Sequence, residues 1–294
     1  MMRAATVAVI ASVALARPVG AVSPPRAPAS TPAATAAPAA VADRFLEQYA
    51  ATNRLSLGQP RGIQVTPGGD AVLFVRSGPR SFVHDLWTYD VATGRERVLL
   101  TAEAILRGAE ETLTVEERAR RERTRSASRG IAEFRLSEDG RRILVPLTGR
   151  LFVIERETGK SVELEGERGA PIDPQWSPDG RHVAVVRDGD LRVIDVASRA
   201  ERRLTTGGCD TVSHGLAEFV AQEEMGRQTG YWWSPDGARI AYETVNTGGV
   251  EELHIQDPAH PERAPSSFRY PRAGGRNAEV GLEIVDVTGD RRRR

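Results

Sequence analysis

The sequence has no excess of charge of either sign and almost no cysteine. Its 294 residues carry 40 basic and 40 acidic side chains, so the formal net charge is zero. A net charge of zero gives no electrostatic argument for binding nucleic acid or an anionic membrane. Its single cysteine, Cys209, excludes an intrachain disulfide. We interpret this cysteine as a small buried hydrophobe and not as a nucleophile.

Long hydrophobic runs are also scarce, and the one clear example lies at the N-terminus. Arg3 precedes an apolar run over residues 4–16, with small residues suited to cleavage after Ala21. The run is shorter than the roughly 20 apolar residues of a transmembrane helix, although a lone membrane anchor is the alternative. We therefore expect a signal peptide over residues 1–21, no stable membrane insertion, and export to the periplasm or the medium. Residues 22–41 are rich in Pro and Ala, which predicts a linker.

What the chain does contain is an internal repeat. Each copy has a short apolar segment, a turn of the Ser-Pro-Asp-Gly type, and a second segment with alternating apolar residues. An Asp-Gly pair between two such segments favours a β-hairpin, because Gly adopts positive φ without steric cost. The copies span Ile63–Val75, Phe134–Leu147, Gln175–Val186 and Trp232–Glu243.

A second strand–turn–strand motif follows each of the first three hairpins, over Asp85–Leu100, Arg150–Leu164 and Asp190–Thr205. Two hairpins in series make four antiparallel strands, which is the unit of a propeller blade. We predict an all-β fold over residues 42–294: a partial, incomplete β-propeller of four-stranded antiparallel blades with short helical insertions. An ordinary β-sandwich with Asp-Gly turns is the alternative.

Two segments interrupt the β pattern. Residues 102–125 are helix-like, with Thr114 and Glu117 as a capping box. Their Arg-rich end lacks the interleaved aromatics of a nucleic-acid patch, so by residue type we interpret it as a solvated helix face. The second segment, Leu216–Met225, contains good helix formers. We expect it to be an insertion at the place of a blade's outer strands.

The most suggestive chemistry is the adjacent pair Glu223 and Glu224, next to the aromatic residues 231–233. Two carboxylates can neutralise and orient an ammonium group, which has three donors and one charge. A metal site would need further ligands, and His214 is the one nearby candidate. A sugar-processing acid/base pair and two simply solvated glutamates also remain open at this point.

Three segments resemble the dipeptidyl peptidase IV family of serine peptidases. The stretch HGLAEFVAQEEMGRQTGYWWSPDG (214–237) is similar to that family's double-glutamate segment. The stretch SSFRYPRAGGRNAEVGLEI (266–284) is similar to its Tyr-Pro-Arg/Lys segment. The stretch RERTRSASRGIAEF (121–134) resembles the dipeptidyl peptidase eight/nine-like branch. Ala278 departs from the Pro that relatives usually have at that place.

The resemblance implies that Glu223 and Glu224 bind the free α-amine of a peptide and that Arg125 contacts a peptide carbonyl. Arg121, Arg123 and Arg129 are the alternatives for this arginine, and on this basis the Arg-rich segment faces substrate. The resemblance also implies an exported dipeptidyl aminopeptidase that removes Xaa-Pro or Xaa-Ala dipeptides from peptide N-termini. It implies no cofactor, and full-length relatives are often homodimers.

The family's hydrolase domain carries a Gly-x-Ser-x-Gly motif, and this sequence contains none. We therefore expect a truncated N-terminal propeller that hydrolyses nothing by itself and is poorly soluble alone. A non-catalytic propeller that binds peptides or proteins is the alternative function.

Overall fold

The structure is a computed structural model that describes residues 38–108, 128–166, 169–289 and 292–293. Three helices occur within these ranges: α1 (Pro38–Ala51), α2 (Ala102–Leu106) and α3 (Phe219–Glu223). None of the helices in the described ranges has the length and apolarity to cross a bilayer. The predicted signal peptide lies outside the described residues, and α1 begins inside the segment predicted to be a linker.

The first antiparallel sheet, blade 1, has the strand order β1-β2-β3-β4. A further short strand, β5, pairs in parallel with β3. The bounds are β1 (Arg61–Val65), β2 (Ala71–Ser77), β3 (Val83–Asp90), β4 (Arg95–Leu100) and β5 (Arg129–Gly130).

The next two sheets, blades 2 and 3, repeat the same four-stranded antiparallel order. Blade 2 contains β6 (Arg135–Leu136), β7 (Arg142–Leu147), β8 (Arg150–Glu155) and β9 (Ser161–Glu163). Blade 3 contains β10 (Ile172–Trp176), β11 (His182–Arg187), β12 (Asp190–Asp195) and β13 (Glu201–Arg203).

The last sheet, blade 4, is built around β16, and two short strands share one edge of that strand. A separate hairpin, β17–β18, connects β16 to β19. The bounds are β14 (Val212–His214), β15 (Tyr231–Trp233), β16 (Arg239–Asn246), β17 (Glu252–Ile255), β18 (Ser266–Arg269), β19 (Glu279–Asp286) and β20 (Arg292–Arg293).

In blades 2 to 4, the first two strands are joined by the same hydrogen-bonded turn, which explains the sequence repeat. In blade 1, Thr66 bonds to Asp70 in a looser version of this turn. In blade 3, the Ser177 hydroxyl donates to Asp179 Oδ1 at 2.6 Å and accepts from the amide of His182 at 2.9 Å. Asp179 Oδ1 also accepts from the amide of Arg181 at 3.0 Å. Gly180 has φ 66°, a value that glycine adopts without strain.

The core lies between successive blades, because side chains alternate across each strand. On β11, Val183 and Val185 pack with blade 2 residues such as Leu144, whereas Ala184 and Val186 pack with blade 4 residues such as Ile240. A third cluster joins blades 1 and 2. The alternation in the repeated segments therefore fills an apolar layer on both faces of each inner blade.

The predicted β-propeller blades are confirmed, including every hairpin that the repeat predicted. The interpretation of Cys209 as a buried residue is wrong, because its side chain is exposed in the loop that precedes β14. Of the predicted helix over 102–125, the described part is the short helix α2; the proposed capping box at Thr114 and Glu117 lies outside the described residues.

Candidate functional site

The double-glutamate insertion, residues 215–230, interrupts the first strand of blade 4. His214 on β14 pairs with Thr244, and Tyr231 on β15 pairs with Tyr242, both on β16. The two short strands therefore pair one after the other along the same edge of β16, in the place of a single strand. The insertion is the segment of chain that connects them. The expectation that it replaces outer strands is wrong, because it departs from the first strand of the blade.

The base of the insertion is closed by a tight backbone contact. Leu216 and Thr229 form an isolated antiparallel bridge. Next to it, a Cβ atom on Gly230 would lie 2.4 Å from the carbonyl carbon of Leu216 and 2.7 Å from the amide nitrogen of Ala217. Only glycine leaves room for this approach, so the two ends of the insertion enter and leave the sheet at one fixed point.

Helix α3 presents the glutamate pair at its C-terminal end. The Glu218 side chain caps the other end: its two oxygens accept from the amides of Val220 and Ala221, each at 2.7 Å. The amide of Glu224 donates to the carbonyl of Val220 at 2.9 Å, which continues the helical turn through the pair. Gly226, with φ 63°, then reverses the chain. The capped helix therefore holds the two adjacent residues on a defined turn.

Glu223 and Glu224 are both exposed. Within the described part of the chain, neither carboxylate has a hydrogen-bond or ion-pair partner. Two adjacent, unneutralised carboxylates can accept the three donors of an ammonium group. No group of three or more His, Cys, Asp or Glu side chains that suits a metal ion occurs among the described residues. The pair therefore offers acceptors that suit an organic ammonium group.

Arg227, three residues after Glu224, ties the insertion to β16. One guanidinium nitrogen lies 2.8 Å from Glu243 Oε1, and another donates to the carbonyl of Thr229 at 2.8 Å. The guanidinium also lies 5.8 Å from the centre of the Trp232 ring. Arg227 and Glu243 were not predicted from the sequence. Both lie in the segments with the repeat and the glutamate pair, but their pairing depends on the insertion folding back over β16.

A second anchor joins α3 to the segment that follows β18. The rings of Phe219 and Tyr270 meet edge to face, with centroids 5.2 Å apart. Such pairs add about 0.5–1.5 kcal/mol beyond the area they bury. Two of the three segments that carry the family resemblance are therefore in contact at this aromatic pair. They are the segments around residues 214–237 and 266–284.

Beneath the insertion, polar side chains connect blades 3 and 4. His214 Nδ1 lies 3.2 Å from Thr244 Oγ1, and its Nε2 lies 3.9 Å from Oδ1 of the fully buried Asp190 on β12. Tyr231, also fully buried, bonds through its hydroxyl to blade 3 carbonyls, at 2.8 Å for Ala184. Burial raises the pKa of Tyr231 well above its usual value of 10.0. The residues on either side of the insertion, His214 and Tyr231, thus both contact the neighbouring blade 3.

The structure describes only some of the predicted site residues. Glu223, the last residue of α3, and Glu224, its C-cap, are adjacent at the helix end, whereas Arg125, Arg121 and Arg123 lie outside the described residues. The remaining alternative, Arg129, is an exposed residue on β5 whose amide donates to the carbonyl of Phe82 at 2.7 Å.

Comparison with known proteins identifies the region that contains the glutamate pair. The family described as Dipeptidyl peptidase IV (DPP IV) N-terminal region matches residues 137–294. Human dipeptidyl peptidase 8 is 33% identical over 136 residues, covering 41% of this chain and 14% of the relative. A probable dipeptidyl peptidase 4 of Aspergillus flavus is 32% identical over 146 residues, covering 46% of this chain and 18% of the relative. The chain thus spans less than a fifth of the length of these two relatives.

A solved structure supports the fold. The crystal structure of Porphyromonas gingivalis dipeptidyl peptidase 4 superposes with a TM-score of 0.60 over 79% of this chain and 32% of that protein, at 24% identity. The family match covers more than half of the chain, and it includes β7 to β9 of blade 2, blades 3 and 4, and the double-glutamate insertion. This chain belongs to the dipeptidyl peptidase IV N-terminal region family.

Proposed function

We propose that this chain is the substrate-recognition part of an exported dipeptidyl aminopeptidase and that it binds the free N-terminus of peptides. In this proposal, Glu223 and Glu224 hold the α-ammonium group, and Arg125 contacts a peptide carbonyl. The serine peptidase to which the region belongs would release Xaa-Pro or Xaa-Ala dipeptides. Its peptide substrates would be selected by the distance between the bound amine and a nucleophile on a separate domain.

The observation that carries the proposal is the exposure of the two carboxylates and their lack of a partner among the described residues. Both are exposed at the end of a capped helix, and among the described residues neither is neutralised by another side chain. The helix belongs to an insertion whose two ends meet at Gly230. Arg227 ties the C-terminal half of this insertion to Glu243 on β16. Carboxylates on an anchored backbone, without a partner among the described residues, suit recognition of a cationic chain end, because only the two side chains remain to be ordered on binding.

The test is calorimetric titration of the full chain with the tetrapeptide Ala-Pro-Ala-Ala and with its N-acetylated form. We expect binding of the free-amine peptide alone, because acetylation removes the charge and two of the donors. Glu223→Gln and Glu224→Gln should each weaken binding about 10-fold or more, since a hydrogen bond to a charged group contributes about 1.5–3 kcal/mol.

The matched control is Glu138→Gln, which neutralises an exposed glutamate in the turn between β6 and β7. It should leave the affinity unchanged. Equal binding of the acetylated and free peptides would contradict recognition of the amine. That result would support instead a non-catalytic propeller that binds peptides along their length.

A further inference from the structure

The insertion carries both acidic side chains and a cation that could pair with them. Besides Glu223 and Glu224, the insertion carries Glu218, which caps α3, and one cation, Arg227. Arg227 lies only three residues after Glu224, so its long side chain could reach the glutamate pair. An ion pair there would occupy the carboxylates that the proposed function assigns to a substrate amine.

Arg227 is instead directed to the sheet. It contacts Glu243 Oε1 and the carbonyl of Thr229, each at 2.8 Å, and its guanidinium lies over the Trp232 ring. These contacts use different nitrogens of the planar guanidinium, so they fix its orientation as well as its position.

The burial of the acidic side chains explains why Glu243 is the partner. Glu243 is 8% exposed, and its second carboxylate oxygen has no hydrogen bond within the described residues. A buried carboxylate without a counter-charge is strongly unfavourable, whereas an exposed ion pair contributes little. Arg227 therefore gains more at Glu243 than at the exposed Glu223 or Glu224.

We infer that Glu243 is a positioning residue: it sequesters Arg227 on β16 and so keeps Glu223 and Glu224 available for a peptide ammonium group. This inference rests on the proposed function. With the insertion's own cation held by a buried carboxylate, the glutamate pair is left open to a cation from the ligand.

The first test is a double-mutant cycle on the full chain, with affinity for Ala-Pro-Ala-Ala measured by calorimetry. Glu243→Gln releases Arg227, and competition at the glutamate pair should weaken binding about two- to fivefold, the range for an exposed ion pair. Adding Arg227→Gln removes the competitor, so the double variant should bind more tightly than Glu243→Gln, and any remaining difference from the parent measures the loss of the Arg227 anchor. Unchanged affinity in Glu243→Gln, or a double variant no better than the single, would overturn the inference.

The control for structural damage is the thermal unfolding of each variant. If Glu243→Gln does not fold, Glu243→Asp replaces it, because it keeps the charge while shortening the side chain out of contact with Arg227. A purely structural role for Glu243 predicts that the second substitution adds to the damage, whereas sequestration predicts rescue.

A measurement without peptide separates this inference from the proposed function. In a crystal structure of Glu243→Gln, the Arg227 side chain should turn to Glu224 or Glu223. An Arg227 that stays against residue 243 and Thr229 overturns the sequestration role, whether or not the parent binds peptides. Failure of the parent to prefer the free-amine peptide would overturn the proposed function alone.

Discussion

The hydroxyl group of the turn serine makes two hydrogen bonds in each of blades 2 to 4, and its burial differs between copies. Ser177 is completely buried, whereas Ser234 sits in the same turn of blade 4 with partial exposure. Both hydroxyls donate to the aspartate two residues later and both accept an amide hydrogen at 2.9 Å. The two positions therefore form a natural comparison of one hydrogen-bond pattern in two environments.

We predict that Ser177→Ala lowers the free energy of unfolding by about 1–3 kcal/mol, because the amide of His182 is left buried without its partner. Ser234→Ala should cost about 0.5–1.5 kcal/mol, since water reaches the exposed turn. Urea unfolding followed by circular dichroism measures both values. Equal losses at the two positions would show that burial does not set the contribution of this turn.

Residue types alone were sufficient to predict these turns. The Ser-Pro-Asp-Gly sequence contains its own explanation: the hydroxyl, the carboxylate and the glycine all act within six residues. Glu223 and Glu224 were likewise found from their adjacency and the surrounding resemblance. The partner of Arg227 was not found, because Glu243 is 16 residues away and no local rule pairs the two.

At the scale of elements, the position of the insertion depends on one glycine. Gly230→Ala would place a methyl group 2.4–2.8 Å from backbone atoms of residues 215–217, where no side chain can move aside. We predict a loss of stability of about 1–3 kcal/mol, the usual cost of overpacking, together with weaker binding of the free-amine tetrapeptide. Thermal unfolding and calorimetric titration measure the two effects.

The control for this prediction is Gly281→Ala on β19 of the same sheet. Its added Cβ would approach nothing closer than 4.0 Å, so stability and binding should both stay at the parental level. If the Gly230 variant also retains both properties, the base of the insertion is not the fixed point that we describe.

The hairpins were predictable at this scale because each is closed by its own turn, with strands that alternate along one face. The site of the insertion was not predictable in the same way. β14 and β15 contain three residues each and become one strand position only through their shared partner β16. His214 and Thr244 are 30 positions apart, and neither segment has a local sequence pattern that predicts their pairing.

At the scale of the whole molecule, the seams between blades determine whether the site keeps its shape. Blade 2 reaches blade 3 through Arg135, which donates to Asp173 Oδ1 at 2.7 Å. Blade 3 reaches blade 4 through the buried hydroxyl of Tyr231, on the residue that directly follows the insertion. Repeat architectures bury most of their core between neighbouring units, so such seam contacts stabilise the assembly as a whole.

The last prediction concerns the alkaline stability that this seam produces. Burial raises the pKa of Tyr231 above the 10.0 of an unfolded tyrosine, so the folded chain keeps a proton that the unfolded chain loses. The stabilisation is therefore complete below pH 10 and decreases as pH rises through the folded pKa. Tyr231→Phe should cost about 1–3 kcal/mol at pH 7, because two buried carbonyls of blade 3 lose this hydroxyl donor, and should weaken the decline above pH 10. Tyr89→Phe, at an exposed tyrosine of β3, should change neither the stability at pH 7 nor its alkaline slope. Urea unfolding between pH 7 and 11 distinguishes the two variants, and an alkaline slope that is the same in the parent and in Tyr231→Phe would rule out this tyrosine as its source.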